Sequence, residues 1–189
     1  IVRDLTLDAS GQLSRKVGGE SVYPPLPLGV AQLSYANNFK WAVSGGEDRY
    51  RRGLYTFFKR TSPHPNLITF DCPDSNVTCV KRNISNTPIA ALATLNNSVF
   101  TDAGKAMARR LIKERNSESE RIAMGFQLCT ARKPSTKEAA AFLTLLKKAK
   151  LYYGENETEA KAFNGDAEAS AWATLTRIFL NLDEFITRE

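Results

Sequence analysis

Residues 49–65, RYRRGLYTFFKRTSPHP, carry the densest set of chemically active side chains in this sequence. Five cations and four aromatic rings surround His64, the only histidine. An imidazole acts as a general base when a carboxylate orients it, and Asp71 or Asp74 could do so, with Ser62 or Thr61 as the nucleophile. A proline stands on either side of the histidine and fixes it in an extended segment. The sequence therefore favours a partly exposed turn residue over a catalytic base.

Asp71 and Asp74 are a second candidate for catalysis. Glycosidases place two carboxyl groups about 5–10 Å apart, and only Cys72 and Pro73 separate these two. Carboxylates beside a proline also commonly cap turns and helices, or pair with arginine. We favour the structural role and keep catalysis by the pair as the alternative.

The cations Arg51, Arg52, Lys59 and Arg60 flank the apolar stretch 54–58. Such a segment could bind nucleic acid through phosphate contacts and base stacking. Aromatic residues that alternate within an apolar stretch are more often part of a core, and arginine suits buried bidentate pairs with carboxylates. We therefore interpret the segment as a buried rib, with its arginines tied to the two aspartates or to main-chain carbonyls, and expect no nucleic-acid partner.

Aromatic side chains in and before this segment offer flat faces for sugar rings. They are Tyr23, Tyr35, Trp41, Tyr50 and Tyr55. If the region binds a ligand, the candidate contacts are Arg51, Arg52, Tyr55, Lys59, Arg60 and Trp41.

Cys72 and Cys79 are separated by six residues that favour a turn, so a disulfide between them is one possibility and two independent thiols the other. Cys129 lies in a helical apolar stripe and is expected in the core. No cysteine spacing matches a zinc site or a haem attachment motif. We expect no metal and no cofactor in this domain.

The composition is that of one globular domain. The chain has 189 residues, of which 42% are apolar, and its net charge of +6 permits an anionic partner without requiring one. No segment has the roughly 18 apolar residues of a membrane helix, so we expect no membrane insertion. The opening residues, IVRDLTLDAS, are typical of the interior of an amphipathic helix, and we expect the chain to be a segment of a larger protein.

The periodicity predicts a mostly α fold. The first residues form a short helix that ends near Gly11, residues 14–48 form a long arm rich in proline and glycine, and residues 86–189 form a helical bundle. Residues 50–60 fit either a helix or a short strand pair. A polar loop is predicted at 154–166.

Helix starts are marked by Thr87, Asn97, Ser135 and Asp166. The apolar stripe of the first bundle helices runs through Ile89, Leu92, Leu95, Val99, Phe100, Ala103, Met107 and Leu111. The acidic pair Asp183 and Glu184 is expected to follow the last helix, either as a solvated helix end or with a basic partner, for which Arg110, Arg51 and Arg52 are candidates.

Several segments stand together in an order that resembles the PSD1 (DUF1553) domain of large secreted proteins of planctomycetes and their relatives. They are LSRKVGGESVYPP, RRGLYTFFKRTSPHPNLITFDCPD, RNISNTPIAALATLNN, ERIAMGFQLCTARKPSTKEA and AWATLTRIFLNLDEF. The resemblance covers residues 10–189. It implies an exported protein, at the cell surface or in the periplasm, in which a cytochrome-c-like domain and another conserved domain precede this one.

The chain departs from the resembled pattern at three positions. Phe58 stands where the family usually has tryptophan, and Ala90 and Asn97 stand where it usually has glutamine and aspartate. If the glutamine or the aspartate of the family were catalytic, the activity of this chain would be impaired. We therefore expect a non-catalytic binding or scaffold module, whose partners are other domains of its chain, a cell-surface protein or a glycan. The alternative is part of a carbohydrate-active or redox enzyme with its haem on a separate domain.

Overall fold

The fold is mostly α, as the sequence predicts. The computed structural model describes residues 2–26, 40–60, 62–73, 76–81, 85 and 87–187. The α-helices in these residues are α1 Val2–Ser10, α2 Pro65–Thr69, α3 Pro88–Asn96, α4 Ser98–Glu114, α5 Glu118–Thr130, α6 Thr136–Glu155, α7 Glu157–Asn164, α8 Ala167–Phe179 and α9 Asp183–Ile186. Among the described residues, no helix combines the length and the apolar character that a bilayer span requires.

The predicted strand pair is replaced by shorter elements. Residues 46–50 and 53–55 form single turns of 3-10 helix. Two isolated parallel bridges, Ser14 with Arg51 and Val22 with Thr56, join the arm to this segment. Within the described part of the chain no strand forms, because each bridge is a single residue pair whose neighbours do not continue a ladder.

The helices begin where local capping chemistry predicts. Thr87 and Asn97 accept hydrogen bonds from the first turns of α3 and α4. Ser135 and Glu138 form a complete capping box at the start of α6, and Asp166 caps α8.

Helix α8 lies at the centre of the bundle and packs against α4 and α6. Its Trp172 and Phe179 are fully buried. The Phe179 ring meets Phe142 edge to face with centroids 4.9 Å apart, and Phe126 lies 5.7 Å from Phe142. Gly125 permits this contact, because a Cβ there would lie 2.8 Å from the Phe179 ring.

Three expectations about the helical body are corrected. The polar segment 154–166, predicted to be a loop, is mostly helix α7, which buries Ala160 against α8.

The apolar stripe predicted for α3 is also corrected. Ile89 and Leu92 belong to that stripe but are 69% and 57% exposed, because α3 turns Ala90 and Thr94 inward instead.

The acidic pair Asp183 and Glu184 begins α9 rather than ending the previous helix. Carboxylates in a first turn are favoured by the helix dipole. The basic partner of Glu184 is Arg132, which also binds Glu138, and not Arg110 or the rib arginines.

Candidate functional site

The predicted site residues meet where the arm crosses the segment 49–60, which we call the rib. Of the arm, the structure describes residues 14–26 and 40–48. Three main-chain hydrogen bonds hold the two together: Ser14 to the Tyr50 carbonyl (3.0 Å), Val22 to the Tyr55 carbonyl (2.7 Å) and Phe57 to the Val22 carbonyl (2.8 Å). We call the whole the arm–rib junction.

Helix α1 fastens the rib through two side chains that the sequence did not single out. The buried guanidinium of Arg3 donates to the carbonyl oxygens of Arg51 and Arg49, both at 2.8 Å. The carboxylate of Asp4 accepts the N–H of Gly53 at 2.8 and 3.0 Å. Burial lowers the pKa of Arg3, and Asp4, 3.5 Å away, partly opposes that shift.

Arg51 is the buried arginine of the rib, with 1% of its surface exposed. Its guanidinium donates to the main-chain carbonyls of Gly18 and, at 3.1 Å, Glu20. The same group lies 3.8 Å from the ring centroid of Tyr55, whose hydroxyl accepts the N–H of Gly18 at 2.9 Å. That hydrogen bond lowers the pKa of Tyr55. Of the partners expected for the rib arginines, Arg51 therefore takes main-chain carbonyls, while the carboxylate of Asp71 binds Ser85.

The other candidate cations lie nearer the surface. Arg52 places Nη2 3.5 Å from the Tyr55 hydroxyl, and Arg60 is exposed and donates to Asn76 at 2.6 Å. Lys59 is half-buried.

The aromatic rings of the junction pack mainly on each other. Tyr23 stacks on Phe57 with centroids 5.0 Å apart and meets the edge of Trp41 at 5.2 Å. The indole N–H of Trp41 donates to the carbonyl of Pro24 at 2.8 Å. Tyr35 lies outside the described residues. The faces of Tyr23 and Trp41 that could stack on a sugar are thus partly covered by other rings of the junction.

His64 is a buried cap and not the partly exposed turn residue expected from its proline neighbours. Only 3% of its surface is exposed. Its Nδ1 accepts the N–H of Asn66 at the start of α2, at 3.2 Å, and Nε2 lies 3.1 Å from the carbonyl oxygen of Pro25 in the arm. Burial lowers the pKa of His64. The centroids of the His64 and Trp41 rings lie 5.7 Å apart, so His64 contacts the arm at Trp41 as well as at Pro25.

Asp71 serves the backbone. Its φ of 55° is in the left-handed region, and its carboxylate accepts both the N–H of Ser85 at 2.8 Å and the hydroxyl of the same residue. Asp74, its proposed catalytic partner, lies outside the described residues. The glycosidase pair therefore stays a prediction, with one member already bound within the fold.

Cys72 and Cys79 are exposed free thiols, so the disulfide considered from their spacing is not formed. Cys79 instead turns its Sγ to the carbonyl of Lys81 at 3.3 Å. Among the described residues, no group of three or more histidine, cysteine, aspartate or glutamate side chains gathers as a metal site would require.

Comparison with known families gives one match. A family model described as PSD1, protein of unknown function (DUF1553), matches residues 1–146. No curated protein and no solved structure matches the chain.

Proposed function

The chain belongs to the PSD1 family of proteins of unknown function (DUF1553), and we propose that it is a non-catalytic scaffold module of an exported multidomain protein that docks neighbouring domains of its parent chain. One observation carries the proposal: the groups best suited to chemistry are already bound inside the fold. His64 uses both ring nitrogens, Asp71 uses both carboxylate oxygens, and Arg51 binds two carbonyls. A general base needs a lone pair directed at its substrate, so structural roles are better supported than catalysis.

Exposed apolar side chains favour a protein partner over a sugar. Ile68 on α2 and Ile89 and Leu92 on α3 are each more than half exposed, and the two helices pack against each other. Contiguous apolar surface is typical of protein interfaces, and we take the packing of α2 against α3 to bring these side chains onto one surface. The ring of Tyr55, by contrast, already has the Arg51 guanidinium against it.

The test is binding of the chain, in trans, to the remainder of its parent protein, together with a glycan array and a panel of hydrolase substrates. We expect binding to the parent protein and no turnover. Leu92→Ser should weaken binding about tenfold or more, the effect of losing one buried leucine at an interface. Leu151→Ser is the matched control, since Leu151 is 65% exposed on α6, a helix that packs against α5, α7 and α8.

Polysaccharide hydrolysis that Asp71→Asn abolishes would overturn the proposal and favour the enzyme alternative. Glycan binding that Leu92→Ser leaves unchanged would replace the protein partner with a sugar.

A further inference from the structure

We propose that His64 is a pH-sensitive latch, which ties the arm to the helical body while the imidazole is neutral and releases it when the imidazole is protonated. The inference goes beyond the scaffold role and does not depend on it.

The two hydrogen bonds of the ring fix its protonation state. Nδ1 accepts the N–H of Asn66 and so carries no proton. A neutral ring then carries its proton on Nε2. The Pro25 oxygen, 3.1 Å away, is a carbonyl and only accepts, so Nε2–H donates to it. Only the neutral ring with its proton on Nε2 satisfies the α2 cap and the arm together.

A second proton leaves Nε2–H as a donor to Pro25 but breaks the contact with Asn66, so release of the arm comes from the cost of burying the charged ring and not from loss of the Pro25 hydrogen bond. It would place an N–H on Nδ1 against the N–H of Asn66, so that two donors face each other and the first turn of α2 loses its cap. It would also put a positive charge at a helix N-terminus, where the dipole opposes it, on a side chain with 3% of its surface exposed.

The charged groups near the ring add to this effect. On α1, Arg3 repels the protonated form, and the carboxylate of Asp4 lies 3.5 Å from the Arg3 guanidinium. From the arm and the α2–α4 region, the described contacts of His64 and Asn66 are uncharged groups. Burial is the largest cause of the lowered pKa of His64, and the hydrogen bond to Pro25 opposes it.

The sign of the pH effect follows. A histidine whose pKa is lowered by folding stabilises the closed arm fully above the ordinary histidine range, and this stabilisation is lost as the pH falls toward the lowered pKa. Opening is local. Pro25 follows Pro24, whose carbonyl holds the Trp41 indole, so release loosens this end of the arm, while Arg51 still holds Gly18 and Glu20.

The test is an NMR titration of the ¹⁵N-labelled chain from mildly alkaline to acid pH. Near neutrality, the imidazole nitrogen shifts should be those of a ring protonated on Nε2, with a midpoint below that of a free histidine. Hydrogen exchange at the Trp41 indole, relative to the same site in His64→Asn, should speed up about tenfold for each unit by which the pKa is lowered. Trp172, fully buried in the core, is the internal reference and should not respond.

Asparagine at position 64 is the matched control, because it is a good helix N-cap and does not titrate. A neutral ring protonated on Nδ1, a Trp41 response that persists in His64→Asn, or parallel opening of Trp41 and Trp172 would each overturn the latch. If the variant fails to fold, two measurements on the unaltered chain still test the latch: the tautomer of His64, and the hydrogen-exchange rate of the Trp41 indole relative to that of Trp172.

Discussion

Arg51→Ala is the most direct perturbation of the arm–rib junction. The substitution removes two hydrogen bonds from a charged donor to the carbonyls of Gly18 and Glu20, each contributing about 1.5–3 kcal/mol. It also removes a guanidinium lying 3.8 Å from the centroid of the Tyr55 ring, which contributes about 0.5–2 kcal/mol. The cost of burying the guanidinium disappears at the same time. We therefore expect the free energy of unfolding to fall by about 3 kcal/mol, near the low end of the sum.

Arg52→Ala is the neighbouring control. Its Nη2 lies 3.5 Å from the Tyr55 hydroxyl, at the limit of a hydrogen bond, and the side chain is partly exposed. The expected loss is below about 1 kcal/mol. Urea unfolding near neutral pH, followed by circular dichroism and tryptophan fluorescence, measures both variants. Equal losses for the two, or a loss below about 1 kcal/mol for Arg51→Ala, would refute the assignment of Arg51 as the residue that holds the arm.

Two further predictions concern stability, the first measured by the same urea unfolding assay and the second by the melting temperature. Gly125→Ala should lower the free energy of unfolding by about 1–3 kcal/mol, because its Cβ would lie 2.8 Å from a core phenylalanine ring. Gly154→Ala is the control and should raise the free energy of unfolding by up to about 1 kcal/mol, because a Cβ there meets nothing within 4 Å. The reverse order would show that α5 and α8 are not in close contact. Hydrogen bonds from Arg132 hold the pKa of Glu138 at about 2 and that of Glu184 below its ordinary value. The stabilisation by this cluster is therefore complete above the ordinary glutamate range and is lost as the pH falls toward 2. The melting temperature of Arg132→Gln should lie below that of the unaltered chain near neutral pH and converge with it in acid, and a gap that stays constant would contradict this.

The helix starts could be predicted because capping is a local interaction. Thr87, Asn97 and Ser135 each bind an N–H two or three residues ahead, so a few letters of sequence contain the whole interaction. The outward face of α3 could not be predicted in the same way. Its residues are apolar nearly all round, and periodicity cannot say which side of such a helix meets the body; Ile89 and Leu92 proved to be on the exposed side.

The arm–rib junction was only partly predictable for a related reason. An arginine-rich segment indicates buried polar contacts, and Arg51 makes them. Its acceptors are main-chain carbonyls, which every residue has, so no side-chain type marks them in advance. His64 is buried by a contact with Pro25, 39 positions earlier, and the rib is held by Arg3, 48 positions before Arg51. No pattern within a short stretch of sequence predicts contacts between residues this far apart.

Two of the side chains that fasten the arm, Arg51 and His64, differ in a way that matters for any binding role. Arg51 holds Gly18 and Glu20 through a group that keeps its charge throughout the range in which a histidine titrates. His64 holds Pro25 through an imidazole, which gains a positive charge as the pH falls through its titration range. Because acid removes only the second tie, the arm can open at its Pro25 end while its register on the rib is kept. Reclosure then needs only the contacts of Pro24 and Pro25 to reform, and no new search for the pairing, which is the property expected of a reversible latch and not of a segment that unfolds.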